Sequence, residues 1–112
     1  MWTPITLAEL NSLIKPEEFD LSVKQLWELI KTEPEKWQES KYGNEGGGFW
    51  VVAIFGKKVI WYNDIEEGFN VSSYTVYGEI DYYYCNQDEL KHVLINLHNN
   101  KKSFNRSEPK GL

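Results

Sequence analysis

The chain has a single cysteine, Cys85, in 112 residues, so it cannot close an internal disulfide. A chain of this length buries a sizeable core without such a staple, and a lone thiol suits a reducing compartment. The opening "MWTPITLAEL" has no basic stretch and is broken by Pro4 and Glu9, which does not fit a secretion signal. Long apolar runs are also missing. The longest, "FWVVAIF" at 49–55, falls far short of the roughly 20 residues that a membrane-spanning helix needs. The expectation is a cytoplasmic protein with no membrane contact.

Basic residues are scarce, with 12 Lys and Arg against 17 Asp and Glu and a net charge of −5. Residues 1–46 carry nine acids against five lysines, and residues 47–98 carry seven against three. Only the last fourteen, "NNKKSFNRSEPKGL", reverse the balance, with four bases and one acid. An acidic body repels nucleic acid and anionic membranes and attracts basic partners. Single-strand binding on an aromatic sheet would need a basic groove, and the sheet region offers only Lys57 and Lys58. Residues 1–98 read as a single domain. Residues 99–112 have no apolar period and read as a disordered basic tail.

Groups that carry chemistry are few. His92 and His98 are the only histidines, and His92 falls opposite the apolar stripe of its predicted helix. Neither they nor Cys85 follow a zinc-binding spacing. Cys85 precedes a predicted helix, a position that can lower a thiol pKa, but its default reading is a small buried junction residue against Leu90. "NDIEEG" lacks the alternating oxygen ligands of a calcium loop. "NEGGGF" lacks the Lys-Ser/Thr of a phosphate loop and leads into a strand. Glu66 and Glu67 are adjacent, with no spacing that would hold a substrate between them. No cofactor and no metal are expected, and nothing commits the chain to catalysis.

The local grammar is clearer. "TLAE" is a capping box, Thr6 with Glu9, opening a helix that Pro16 stops. Ser22 and Gln25 suggest a second box before Val23, Leu26, Trp27 and Ile30, which share one helical face; Thr32 and Pro34 end that helix, with a short turn possible through "PEKWQES". After the loop "SKYGNEGGG" the period becomes strand-like. "FWVVAIF" and "KVIWYN" flank a "GKK" turn, and "FNVSSYTVY" and "EIDYYYC" read as two further strands. "NQDELKHVLINLHNN" reads as a helix capped by Asn86. The order predicts an α+β domain: two N-terminal helices, a four-stranded antiparallel meander, and a C-terminal helix packed on the sheet.

Two features suggest where function lies. "FWVVAIF" is apolar on both faces, as in a strand covered on both sides, so the face away from the helices needs a cover. Eleven of the seventeen aromatic residues lie between Phe49 and Tyr84. Within "DYYYC", Tyr82 and Tyr84 share one face and Tyr83 takes the other. In "WYNDIEEGF", Trp61, Tyr62 and Phe69 are expected as aromatic anchors inside an acidic rim of Asp64, Glu66 and Glu67, an arrangement that concentrates binding energy and steers opposite charge. With Tyr82 and Tyr84 these form the candidate binding surface for a basic protein. In size, charge and surface the chain is similar to bacterial immunity proteins, a resemblance that implies a non-catalytic interaction domain. Two other readings stand beside it: a small-molecule or enzymatic pocket lined by Trp27, Trp50 and Tyr77, and a homodimer that buries the uncovered sheet face.

Overall fold

The computed structural model describes residues 2–107, with side chains described for 2–100. Helix α1, Leu7–Leu13, starts on the expected box: the Glu9 N–H donates to the Thr6 hydroxyl at 3.1 Å, and the Thr6 N–H donates to the Glu9 carboxylate at 2.8 Å. Helix α2 spans Leu21–Ile30, and its cap is not Ser22 but Asp20, whose carboxylate accepts the Val23 N–H at 2.9 Å. Asp caps as well as Ser does. Placed one residue before the helix, it leaves Val23, Trp27 and Ile30 facing the core. The C-terminal helix α3, Leu90–Ser107, begins four residues after the expected cap Asn86. The basic tail expected from residue 99 falls almost wholly beyond the described side chains.

The sheet is a four-stranded antiparallel meander: β1 Lys31–Trp37, β2 Phe49–Phe55, β3 Lys58–Asn63 and β4 Gly68–Ser73, paired in that order. One of its strands was not expected, and one expected strand is absent from it. β1 occupies the segment read as a helix end and turn. It is an edge strand, and its pairing with β2 slips between Lys31 and Glu35, around Pro34; an edge with a bulge is where a strand tolerates a residue lacking N–H. "EIDYYYC" forms no named strand, and β4 stops at Ser73. "FWVVAIF" is apolar throughout for a geometric reason. Val51 pairs with Trp61 and Ala53 with Ile60, so Val52 is a bulge residue and the strand supplies apolar side chains to both faces.

One face meets the helices in a core that includes Leu10, Trp27, Val52, Ile60, Phe69 and Leu94. The opposite face carries Trp37, Phe49, Val51, Val59 and Trp61. The chain supplies its own cover for that face. Residues 74–89 run back across it as an irregular strap, with Ile80 buried and Tyr74 and Tyr83 packed alongside. Its start is pinned to the end of β1: the Gln38 N–H donates to the Gly78 carbonyl, and the Ile80 N–H donates to the Gln38 carbonyl, both at 2.8 Å.

The middle of the strap is held by side chains of the strands beneath. On β4, Gly68, Asn70 and Ser72 pair with Asn63, Trp61 and Val59 and so share the strap face. The Ser72 hydroxyl donates to the Tyr82 carbonyl at 2.7 Å and accepts from the Trp61 indole N–H at 2.9 Å. The Asn63 amide donates to the Tyr84 carbonyl at 2.9 Å. The Asn70 amide binds the Asn86 backbone from both sides, accepting its N–H at 2.9 Å and donating to its carbonyl at 3.1 Å. Asn86 is therefore an anchor point of the strap rather than a helix cap. Gly68 makes the contact possible, since a Cβ there would lie 2.3 Å from the Asn86 carbonyl oxygen and the Gln87 Cα. Among the described residues no helix is long and apolar enough to cross a membrane.

Gly68→Ala will overpack the strap contact and destabilise the fold by about 1–3 kcal/mol. Asn70→Ala will strip the partners from the Asn86 backbone, at about 1–3 kcal/mol for each group left unpaired. Urea unfolding of both variants checks this; midpoints unchanged from wild type would mean that the strap is not held this way.

Candidate functional site

The eight residues expected to form one surface are divided among four places: the strap-side core, the end of the sheet, the helix side and the outer surface of the strap side. Trp61 is fully enclosed (0% exposed), stacked near Phe49 at 4.7 Å and under Tyr83 at 6.1 Å. Asp64 is also buried, and its carboxylate is an internal clamp, accepting the Trp2 indole N–H at 2.8 Å and the Ile5 N–H at 2.9 Å. It ties the N-terminal segment across the end of the sheet. Tyr62 and Phe69 point to the helix side, where they pack at 4.9 Å and line a small cleft with Glu67. The expected aromatic anchors are thus core residues, because the helices cover one face of β3 and β4 and the strap covers the other, so neither face is left open. Tyr82, Tyr84 and the half-buried Glu66 remain on the strap side, and Glu67 is exposed at the mouth of the helix-side cleft.

The strap presents those tyrosines. Tyr82 and Tyr84 are 62% and 46% exposed, while Tyr83 between them turns inward. The backbone beneath each outward ring is fixed, since the Tyr82 and Tyr84 carbonyls are the two that Ser72 and Asn63 hold. Tyr83 meets Tyr42 edge to face at 4.8 Å. With Ile65, Glu66, Lys41 and the exposed Cys85, these two rings line a shallow groove. Cys85 was expected as a buried junction residue. It is exposed instead, because the strap has not yet reached the helix at that point.

Further along the strap, Tyr77 and Val76 are exposed, and the Tyr77 ring packs on Trp37 at 4.8 Å with its hydroxyl donating to the Glu35 carboxylate. Charges of both signs stand here. Glu35 lies under the Tyr77 hydroxyl, Asp81 accepts from the Ser73 and Thr75 hydroxyls, and Glu66 and Lys41 share the groove with Tyr42 and Tyr83. Lys57 lies over the Tyr74 ring, and Lys58 lines a shallow groove with both Tyr82 and Tyr84. Burial pushes the Tyr83 hydroxyl above its ordinary value of 10.0, as does, to a lesser degree, the Glu66 carboxylate.

Three contributors, Tyr42, Val76 and Tyr77, were not legible beforehand as surface residues. Tyr42 owes its place to Glu39, a buried carboxylate that accepts the N–H groups of Lys41, Tyr42 and Gly43 at 3.0, 2.8 and 2.9 Å. The only signal was an acid three residues before a tyrosine in a glycine-rich loop. Val76 and Tyr77 were assigned to a strand and gave no sign that they would stand on the surface.

The pocket of Trp27, Trp50 and Tyr77 is not formed: Trp27 lies in the helix-side core, Trp50 sits under the Lys36 ammonium at 5.1 Å, and Tyr77 lies against the other sheet face. Among the described residues no three His, Cys, Asp or Glu side chains are grouped to hold a metal ion. What the surface offers chemically is contact: flat aromatic faces, hydroxyl tips and carboxylates. No family model, curated protein or solved structure matches this chain.

The hydroxyls of Tyr62 and Tyr83 are both raised above 10.0, chiefly by burial. In the unfolded chain they ionise near 10, so their contribution to stability is complete below that pH and is lost as pH rises through their folded values. Urea midpoints will be flat from pH 7 to 9 and fall above about 10. Tyr62→Phe will shallow that fall, and an identical alkaline slope in the variant would contradict the assignment.

Proposed function

We propose that this protein is a small non-catalytic interaction domain that binds a basic protein partner through the strap side of its sheet. The observation that carries this reading is the pairing of outward tyrosines with an immobilised backbone. A tyrosine ring offers a large contact area with an apolar body and a polar tip. It has only two side-chain torsions to freeze on binding, and a fixed main chain removes most of the remaining ordering cost. Tyr82 and Tyr84 meet both conditions.

The charge around them selects the partner. Glu79 and Asp81 lie on the strap itself, Glu66 lines the groove beside Tyr83, and Lys58 lies beside Tyr82 and Tyr84. On a chain of net charge −5 the balance draws in a basic surface and repels an acidic one. Buried polar side chains that fix a tyrosine-bearing segment fit the work of an inhibitor, in which a rigid surface occupies another protein. In size, charge and surface the chain is similar in general character to the bacterial immunity proteins, which block cognate toxins.

Affinity capture from the native host tests the reading. The expected outcome is one basic protein retained at low salt and released as salt rises. Tyr82→Ala with Tyr84→Ala will weaken capture by about 2 kcal/mol per ring, roughly 30-fold in Kd for each, with the unfolding midpoint unchanged. Capture that is unaffected by the double substitution would remove the strap from the interface.

A further inference from the structure

The cleft on the helix side is lined in part by Gln87, Asp88 and Glu89, the last residues of the strap, but by neither Tyr82 nor Tyr84. It lies between the end of α1, the 3-10 turn at Pro16–Glu18, β4 and the start of α3, and encloses about 110 Å³. Leu13, Phe19, Phe69 and Leu90 give it apolar walls, and Tyr62 and Glu67 supply polar atoms. Tyr62 is only 7% exposed, and its hydroxyl makes no hydrogen bond to any described residue. No side-chain N or O sealed from solvent among the described residues lacks a partner. The Tyr62 hydroxyl therefore faces open space, and the space that Tyr62 lines is this cleft.

The sign of the field there is set by carboxylates. Glu67 and Asp64 are the charges that act on the Tyr62 hydroxyl, both in the direction that resists ionisation. Glu18, Glu67, Asp88 and Glu89 outnumber Lys15 and Lys91 along its lining. Lys91 is paired with Glu18 at 3.4 Å, which leaves Lys15 as the one lining cation without an ion pair to a described residue. Glu67 makes no ion pair with a described residue, and it is held in the left-handed region at φ 63°, with its N–H donating to the Asn63 carbonyl at 2.7 Å. A cleft with apolar walls, a hydroxyl without a partner and an unpaired carboxylate fits an elongated cation with an apolar stem.

We propose that this cleft receives a single arginine side chain, presented by the basic partner; the source of the arginine rests on the reading above, and the cleft's chemistry does not. The volume is well below the roughly 300–1,000 Å³ of metabolite pockets, so the occupant is one side chain. Arginine fits better than lysine because its guanidinium is planar, more weakly hydrated and has donors enough for both the Tyr62 oxygen and the Glu67 carboxylate. Its methylene stem lies along apolar walls as such stems do elsewhere.

The test needs no partner. Nα-acetyl-arginine methylamide is titrated into the whole protein while the backbone amides of Gly68, Phe69 and Leu90 are followed by NMR. Saturable shifts confined to those amides are expected, at least 10-fold weaker with the neutral isostere acetyl-citrulline methylamide and weaker with the lysine analogue. Glu67→Gln, whose side chain is exposed, will abolish them without changing the unfolding midpoint. Equal shifts with citrulline, equal or stronger binding by the lysine analogue, shifts scattered over the acidic surface, or shifts that survive Glu67→Gln would each overturn the proposal. Because the strap substitutions do not touch this cleft, arginine shifts that persist in the Tyr82→Ala, Tyr84→Ala variant keep failure of the strap reading separate from failure of this one.

Discussion

The structure depends on three buried polar side chains, Asn63, Asn70 and Ser72, placed where a sheet would ordinarily present apolar groups. A buried amide or hydroxyl without partners is costly, so each must find a backbone group, and each finds one on the strap. The requirement runs both ways. The strap lies over an apolar face without being a strand, so its carbonyls and N–H groups have no ladder to join. Side chains take the ladder's place. Asn70 does so most completely, since its amide offers a donor and an acceptor as a neighbouring strand would.

From that constraint the surface follows. A segment held by its carbonyls has its side chains divided: those turned down complete the second core, and those turned up stand in solvent on a fixed main chain. Ile80 and Tyr83 belong to the first group, Tyr82 and Tyr84 to the second. Gly68 permits this arrangement by letting the backbone of the strap come within contact of β4. The acidic rim expected around Trp61 is then divided between internal and external work. Asp64 fastens the N-terminal segment, Glu66 lines the groove beside Tyr42 and Tyr83, and Glu67 opens into a cleft on the opposite side of the sheet.

Elements specified by neighbours in sequence were legible in advance. Thr6 with Glu9, the stripe of α2, and the "GKK" hairpin are local patterns, and each formed as expected apart from the shift of the α2 cap to Asp20. The α+β class and a four-stranded meander were also legible, and so was the need for a cover on the second face. The identity of the cover was not. "EIDYYYC" has the alternation of a strand, and only the small and polar residues of β4, sixteen positions earlier in the case of Asn70 and Asn86, divert it across the face. β1 was hidden for a different reason: "KTEPEKW" is charged and carries a proline, which is how an edge strand is kept from pairing with other chains. The aromatic anchors of the candidate site were misplaced because alternation gives the face of a residue but not which faces the rest of the chain will close.

The central claim is that buried side chains hold the strap as firmly as hydrogen-bond ladders hold the strands. Backbone order parameters from ¹⁵N relaxation measure this directly at the tyrosines. The account predicts values near about 0.85 for the amides of Tyr82, Tyr83 and Tyr84, matching those of β3 and β4; values below about 0.6 would show a mobile segment and contradict it.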